Sequence, residues 1–168
     1  AQKDFHPVEY SKTKEQLEKS NILIETASPN GGTATSAALP ETITINTIPI
    51  NSINLEEYKA IILIGGPGAR KYLANAQGLN ELLQQAYNQN KLIAAICASP
   101  TILAEAGILQ NKEATVWPNP EYIAILQNNK AEYLPQSVVI DGNIITADGP
   151  QAAEDFGKTI AQKILQQS

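Results

Sequence analysis

Short unbroken apolar runs alternate along this chain with stretches in which apolar residues recur every three or four positions. The runs at residues 59–64 (KAIILI) and 92–96 (LIAAI) suit strands buried on both faces of a parallel sheet. Residues 7–20 read as a helix, with Pro7 suited to its first turn and Val8 and Leu17 set among charged positions. Residues 21–27 (NILIETA) read as a strand, closed by the breaker run Ser28-Pro29-Asn30-Gly31-Gly32. Residues 42–50 are β-branched and extended, with Pro49 marking an edge or a loop. Helices are expected at 79–90 and at 100–106, the second ending at Gly107 as a natural C-cap.

Further along, 115–117 reads as a short strand and 120–127 as a short helix. Residues 137–140 and 143–147 read as two strands joined through Asp141-Gly142, a strong hairpin signal. Gly149-Pro150 then opens a last helix. Its apolar residues Ala153, Phe156, Ile160 and Ile164 keep helical spacing, and Glu154 and Asp155 sit near its positive end. Strands alternating with helices predict a three-layer α/β sandwich, one domain over residues 1–168, with no internal repeat or linker. A doubly wound fold normally begins with a buried strand, yet helix starts here almost at once. The expectation is that a first strand, upstream of Ala1, is missing from this sequence.

Composition narrows the classes. A charge of −5 with a single arginine, Arg70, offers no basic stripe for phosphates and excludes a nucleic-acid binder. One cysteine excludes an intrachain disulfide, and one histidine, His6, excludes a multi-histidine metal site within the chain. No metal and no cofactor are therefore expected. No apolar run reaches the length of a membrane span, and residues 1–7 hold no signal-peptide apolar core. The reading is a soluble cytoplasmic protein.

Three segments carry possible chemistry. In Ala94-Ala95-Ile96-Cys97-Ala98-Ser99-Pro100 a buried strand runs into a helix with a nucleophilic residue at the junction. That is the geometry of a nucleophile elbow, without the usual flanking glycines. A thiol there meets unpaired N–H groups and a positive dipole end, which predicts a lowered pKa, and the Ala98 N–H would point towards an oxyanion. Taken locally, a small buried hydrophobe is the commoner fate of a free cysteine. Gly65-Gly66-Pro67-Gly68-Ala69 follows a strand at the carboxyl edge of the sheet, where ligands bind and glycines allow close approach. It equally suits a tight turn, and it lacks the lysine and spacing of a phosphate loop. Glu9, in the first turn of a helix, needs no role beyond complementing the dipole.

These segments, in this order, resemble the ThiJ/PfpI superfamily. The match runs through residues 62–69, 95–100 and 103–109, then 114–118 and 145–150, covering nearly the whole chain. The resemblance implies a flavodoxin-like, mostly parallel sheet with a nucleophile elbow, and a homodimer or larger assembly. It implies that Cys97 is activated beside Glu9, with the backbone N–H groups of Gly66 and Ala98 as oxyanion hole. Gly65, Trp117, Pro150 and His6 are expected to line the pocket. The departures are as informative. The peptidase-like branch has a histidine directly after the cysteine, where this chain has Ala98. Another branch has one at the position of Trp117. His6 is the sole histidine left, read here as a surface loop residue, so a Cys–His protease lacks its base.

A carboxyl packed against a thiolate should have a raised pKa and can act as general acid or base. The leading expectation is a cofactor-independent enzyme of the glyoxalase III or deglycase type, acting on methylglyoxal-like aldehydes or adducts. The second is a redox-sensing or chaperone-like stress protein in which Cys97 is oxidised. The third is an intracellular cysteine peptidase.

Overall fold

The computed structural model describes residues 1–167. The chain opens with β1 (Lys3–Phe5), then α1 (Pro7–Lys19), whose first turn holds Pro7 and is capped by His6. The β-rich part follows as β2 (Ala27–Ser28), β3 (Gly32–Ser36) and β4 (Thr44–Pro49). Next come β5 (Ala60–Leu63), the single turn α2 (Ala69–Tyr72), α3 (Leu79–Asn88), β6 (Leu92–Ile96) and α4 (Pro100–Glu105). The last third holds β7 (Glu113–Ala114), α5 (Pro120–Asn128), β8 (Glu132–Tyr133), the hairpin β9 (Val138–Asp141) and β10 (Ile144–Ala147), and α6 (Ala153–Gln166).

The core is built around β6. Its five residues are fully buried, and they alternate between two faces as a pleated strand requires. Ile93 and Ala95 pack into a cluster with Leu83 and Ala86 of α3 and Ile102 and Leu103 of α4. Leu92, Ala94 and Ile96 pack into a second cluster with Phe156 and Ile160 of α6 and Leu17 of α1. Helices thus cover both faces of a sheet ordered β5-β6-β10-β9, parallel except for the β9–β10 hairpin, and the fold is the three-layer α/β type.

Several local expectations are corrected. Residues 21–27 do not form a strand along their length; only Ala27 and Ser28 form β2, pairing with β4, whose Ile48 N–H also donates to Thr26 O (3.0 Å), and residues 22–25 have no strand beside them. β4 is not an edge strand: it lies between β3 and β2, and Pro49 is tolerated as its last residue. β1, β3, α2 and β8 were not expected, being short and without apolar periodicity. β5 is not buried on both faces; it ends its sheet and three of its four residues are only half-buried. The strand expected at 115–117 falls instead at Glu113–Ala114.

One glycine outside the site sets helix spacing. A Cβ on Gly157 of α6 would lie 2.8 Å from the Cβ of Gln16 and 3.1 Å from the Cα of Thr13, both on α1. Gly157→Ala therefore forces the two helices apart, at about 1–3 kcal/mol for overpacking. It regains about 1 kcal/mol of helix propensity. A net loss of about 1 kcal/mol in urea unfolding is expected; a stabilised variant would show that the helix pair yields freely.

Candidate active site

Cys97 stands where β6 ends and α4 is about to begin. Its φ of 64° is in the left-handed region, which costs a non-glycine residue about 1–2 kcal/mol and turns the chain sharply. Backbone pairing holds that strained turn from both sides. The Cys97 N–H donates to Ala147 O at the end of β10 (2.9 Å), and the Trp117 N–H donates to Cys97 O (2.8 Å). Ser99 completes it: its hydroxyl donates to Ile64 O (2.8 Å) and its N–H to Ile96 O (3.1 Å). The elbow therefore forms without flanking glycines.

Glu9 reaches the same point from α1. His6 Nδ1 accepts hydrogen bonds from the N–H groups of Val8 (3.2 Å) and Glu9 (3.4 Å), so the cap orients the turn that carries Glu9. The Glu9 side chain is fully buried. Its Oε1 accepts from the Gly65 N–H (3.0 Å), while among the described residues Oε2 accepts no conventional hydrogen bond. The Cys97 thiol interacts with this carboxyl. A Cβ on Gly65 would fall 2.5 Å from Ile96 O, 2.6 Å from Cys97 Cβ and 2.8 Å from Glu9 Oε1. Only a residue with no side chain lets these groups converge.

Gly66 and Gly68 do related work one step along. The His6 N–H donates to Gly65 O (2.9 Å) and the Gly68 N–H donates to Asp4 O (2.9 Å), which ties β1 to the glycine loop. A Cβ on Gly66 would collide with the backbone of residues 4–6, and φ there is 116°. The N–H groups of Gly66 and Ala98 both hydrogen-bond to the Cys97 sulfur.

The electrostatics revise one expectation. Burial pushes the Glu9 carboxyl up to about 7, against the lowering effect of its contacts with Cys97 and Gly65. Burial, then the Glu9 charge, push the Cys97 thiol up to about 12, against the lowering effect of the Gly66 and Ala98 N–H groups. The lowered thiol pKa expected from a helix terminus is not found. α4 has only six residues and starts three positions beyond the sulfur, whereas the carboxylate is adjacent. Burial and then Glu9, not the helix, hold the proton on the thiol.

The other expected residues are placed as follows. Trp117 is partly exposed, and its ring lies so close over Gly149 that a Cβ there would be 2.7 Å from two ring carbons. Pro150 opens the short turn Pro150–Ala152 before α6. His6 is a half-buried helix cap, not a surface loop residue, and burial lowers its pKa. Its Nδ1 is occupied by the cap. Sequence reasoning missed Ser99 and the brace formed by Arg70, which donates to Thr101 Oγ1 (3.1 Å) and pairs with Glu105. Thr101 in turn donates to Ala98 O (2.6 Å), fixing the peptide that follows Ala98. The serine before Pro100 was a readable signal; the Arg70 contact, across 31 residues, was not.

Comparison with known proteins decides the lineage. The family model described as DJ-1/PfpI matches residues 1–163. The chain belongs to the DJ-1/PfpI family. A protein of Methanocaldococcus jannaschii, MJ0967, is 39% identical over 98% of this chain and 79% of its own length. A Caenorhabditis elegans member named glutathione-independent glyoxalase DJR-1.2 is 30% identical over 70% of this chain and 61% of its own. A Pyrococcus horikoshii member named deglycase PH1704 is 28% identical over 61% and 60%. The crystal structure of Drosophila melanogaster DJ-1beta superposes with a TM-score of 0.84 at 27% identity, covering 96% of this chain and 86% of that one. The family thus includes named enzymes and shares the flavodoxin-like fold. Among the described residues, no helix is long and apolar enough to cross a membrane, and no cluster of His, Cys, Asp and Glu could hold a metal.

Proposed function

We propose that the protein is a cofactor-independent enzyme of the glyoxalase III type, converting methylglyoxal and related small aldehydes at Cys97, with deglycation of early adducts as the same chemistry on a larger substrate. One observation carries this reading: a fully buried carboxyl poised near neutrality beside a lone thiol, with two backbone N–H groups on the same sulfur. As the sulfur attacks the aldehyde carbon, Glu9 takes the thiol proton and the Gly66 and Ala98 N–H groups hold the developing oxyanion. Glu9 returns the proton to give a hemithioacetal. It then moves the C1 proton to C2 while the C1 hydroxyl proton passes to the C2 oxygen, giving a lactoyl thioester, and water releases lactic acid and the thiol. Methylglyoxal plus water equals lactate, so no electron acceptor is required.

The family members named glyoxalase and deglycase support this reading. A peptidase is less supported, because the only histidine is engaged as a helix cap. A sensor is less supported too, because a thiol held protonated reacts slowly with peroxide. The reading includes a homodimer in a reducing cytoplasm, where a single free thiol persists.

Lactate formation from methylglyoxal, with no added thiol or cofactor, is the test. Alkylation of Cys97 by iodoacetamide, one equivalent per chain since no second thiol competes, should abolish it. Full activity after complete alkylation would overturn the proposal.

A further inference from the structure

Two consecutive peptide groups of the glycine loop hold the two reacting side chains. The Gly65 N–H donates to Glu9 Oε1 (3.0 Å), and the Gly66 N–H reaches the Cys97 sulfur. Each of these peptides is also loaded at its carbonyl end. Gly65 O, on the peptide that ends in the Gly66 N–H, accepts from the His6 N–H (2.9 Å). Ile64 O, on the peptide that ends in the Gly65 N–H, accepts from the Ser99 hydroxyl (2.8 Å). A peptide that accepts at its oxygen is polarised, and its N–H becomes the stronger donor. The donor from His6 is backbone, whereas the donor from Ser99 is a side chain and depends on the residue type.

Ser99 is fully buried and stands just before Pro100, the first residue of α4. A serine there ordinarily turns its hydroxyl onto the helix's own N–H groups. Ser99 makes no such cap bond; its hydroxyl crosses to the end of β5 instead. Its N–H donates to Ile96 O (3.1 Å), which fixes it within the turn that carries Cys97.

We propose that Ser99 is a positioning residue for Glu9, acting through the Ile64–Gly65 peptide: its hydroxyl fixes and polarises that peptide, whose N–H then holds the carboxylate form of Glu9 beside Cys97. The hydrogen bonds run in one line, from the Ser99 O–H to Ile64 O and from the Gly65 N–H to Glu9 Oε1. They join the turn that carries the thiol to the helix that carries the acid. Glu9 Oε2 accepts no conventional hydrogen bond among the described residues, so the carboxylate leans on the Gly65 N–H. Weakening that donor disfavours the charged form, and Glu9 then keeps its proton to higher pH. The Gly65 contact acts in the matching direction, lowering the Glu9 pKa against burial. Other charged groups on the surrounding elements are engaged or exposed. His6 Nδ1 is taken by the cap, Arg70 pairs with Glu105, and Lys3 and Asp4 of β1 and Lys12 of α1 are exposed. On α6, Glu154, Asp155 and Lys158 are exposed too. Cys97 is the titratable group in contact with Glu9. The role of Ser99 in turnover rests on the reaction proposed above, whereas its hold on the Glu9 carboxyl can be measured without substrate.

The test is the pH titration of the Glu9 carboxyl carbon by NMR in protein carrying isotope-labelled glutamate, its signal assigned by its loss in Glu9→Gln. Ser99→Ala should raise the midpoint by about half a pH unit or more. Ser99→Gly, which removes the same hydroxyl, should do the same, and Ser99→Thr, which keeps it, should restore the wild-type value. Arg70→Ala loosens α4 without touching the Ile64–Gly65 peptide and should leave the midpoint in place. An unmoved midpoint in Ser99→Ala and Ser99→Gly overturns the proposal. So does an equal rise in Arg70→Ala, which would make the effect a general loosening of the elbow. In lactate formation the acidic limb of kcat/KM should rise by the same amount in Ser99→Ala. A limb that stays in place while the carboxyl titration moves counts against the proposed reaction and still supports the hold of Ser99 on Glu9.

Discussion

Glu9→Gln should lower lactate formation from methylglyoxal by about 10²- to 10⁴-fold, the range for losing a positioned general base. Cys97→Ala should lower it at least as far, and the double variant no further than Cys97→Ala alone. The two groups act on one proton and one bond, so their contributions do not add. The amide of glutamine can still accept the Gly65 N–H that Oε1 now accepts, so the fold and the elbow survive the change. What is lost is the charge. Since that charge is a main cause holding the thiol up near 12, Glu9→Gln should also shift the pH midpoint of Cys97 alkylation downward. The variant is thus expected to have a more reactive thiol and a slower enzyme. That combination separates general-base catalysis from simple disruption of the site. A variant whose alkylation profile does not move, or whose turnover is intact, would remove Glu9 from the mechanism.

The parts of the fold legible in the sequence were those set by local periodicity. β6 was legible because five apolar residues in a row suit burial on both faces, and α6 because Phe156, Ile160 and Ile164 repeat on one helical face. The hairpin was legible from Asp141-Gly142, with Gly142 at φ 60°. What failed was decided by partners distant in sequence. Residues 22–25 have strand composition but no strand beside them, and β3 is a run of small and polar residues that pairs only because β1 and β4 flank it.

The site divides the same way. Cys97 was readable as an elbow from strand, turn and helix in sequence. Glu9 was not, because nothing local distinguishes a capping carboxylate from one buried against a thiol 88 positions away; only the family resemblance singled it out. The direction of the thiol shift was misjudged for that reason. A helix terminus is visible in sequence, whereas a buried negative neighbour is a tertiary fact.

The same burial makes Glu9 a stability switch. Its pKa rises from 4.5 in the unfolded chain to about 7 in the fold, so the folded state holds the proton more tightly. A group shifted upward contributes stability that is complete below its unfolded pKa and is lost as pH rises through its folded one. Between pH 4.5 and 8.5 that loss amounts to about 3 kcal/mol. His6, pulled down by burial, acts in the opposite direction as pH rises and blurs the wild-type curve. It is also present in Glu9→Gln, so the difference between the two proteins isolates the carboxyl. In guanidinium unfolding the two should have similar stability at pH 4.5, where the protonated acid and the amide are near-isosteres. By pH 8.5 the variant should be more stable by about 3 kcal/mol, having no buried charge to form. A constant difference across that range would mean that Glu9 ionises in the fold as easily as in water. It could not then be the proton carrier the mechanism needs near neutrality.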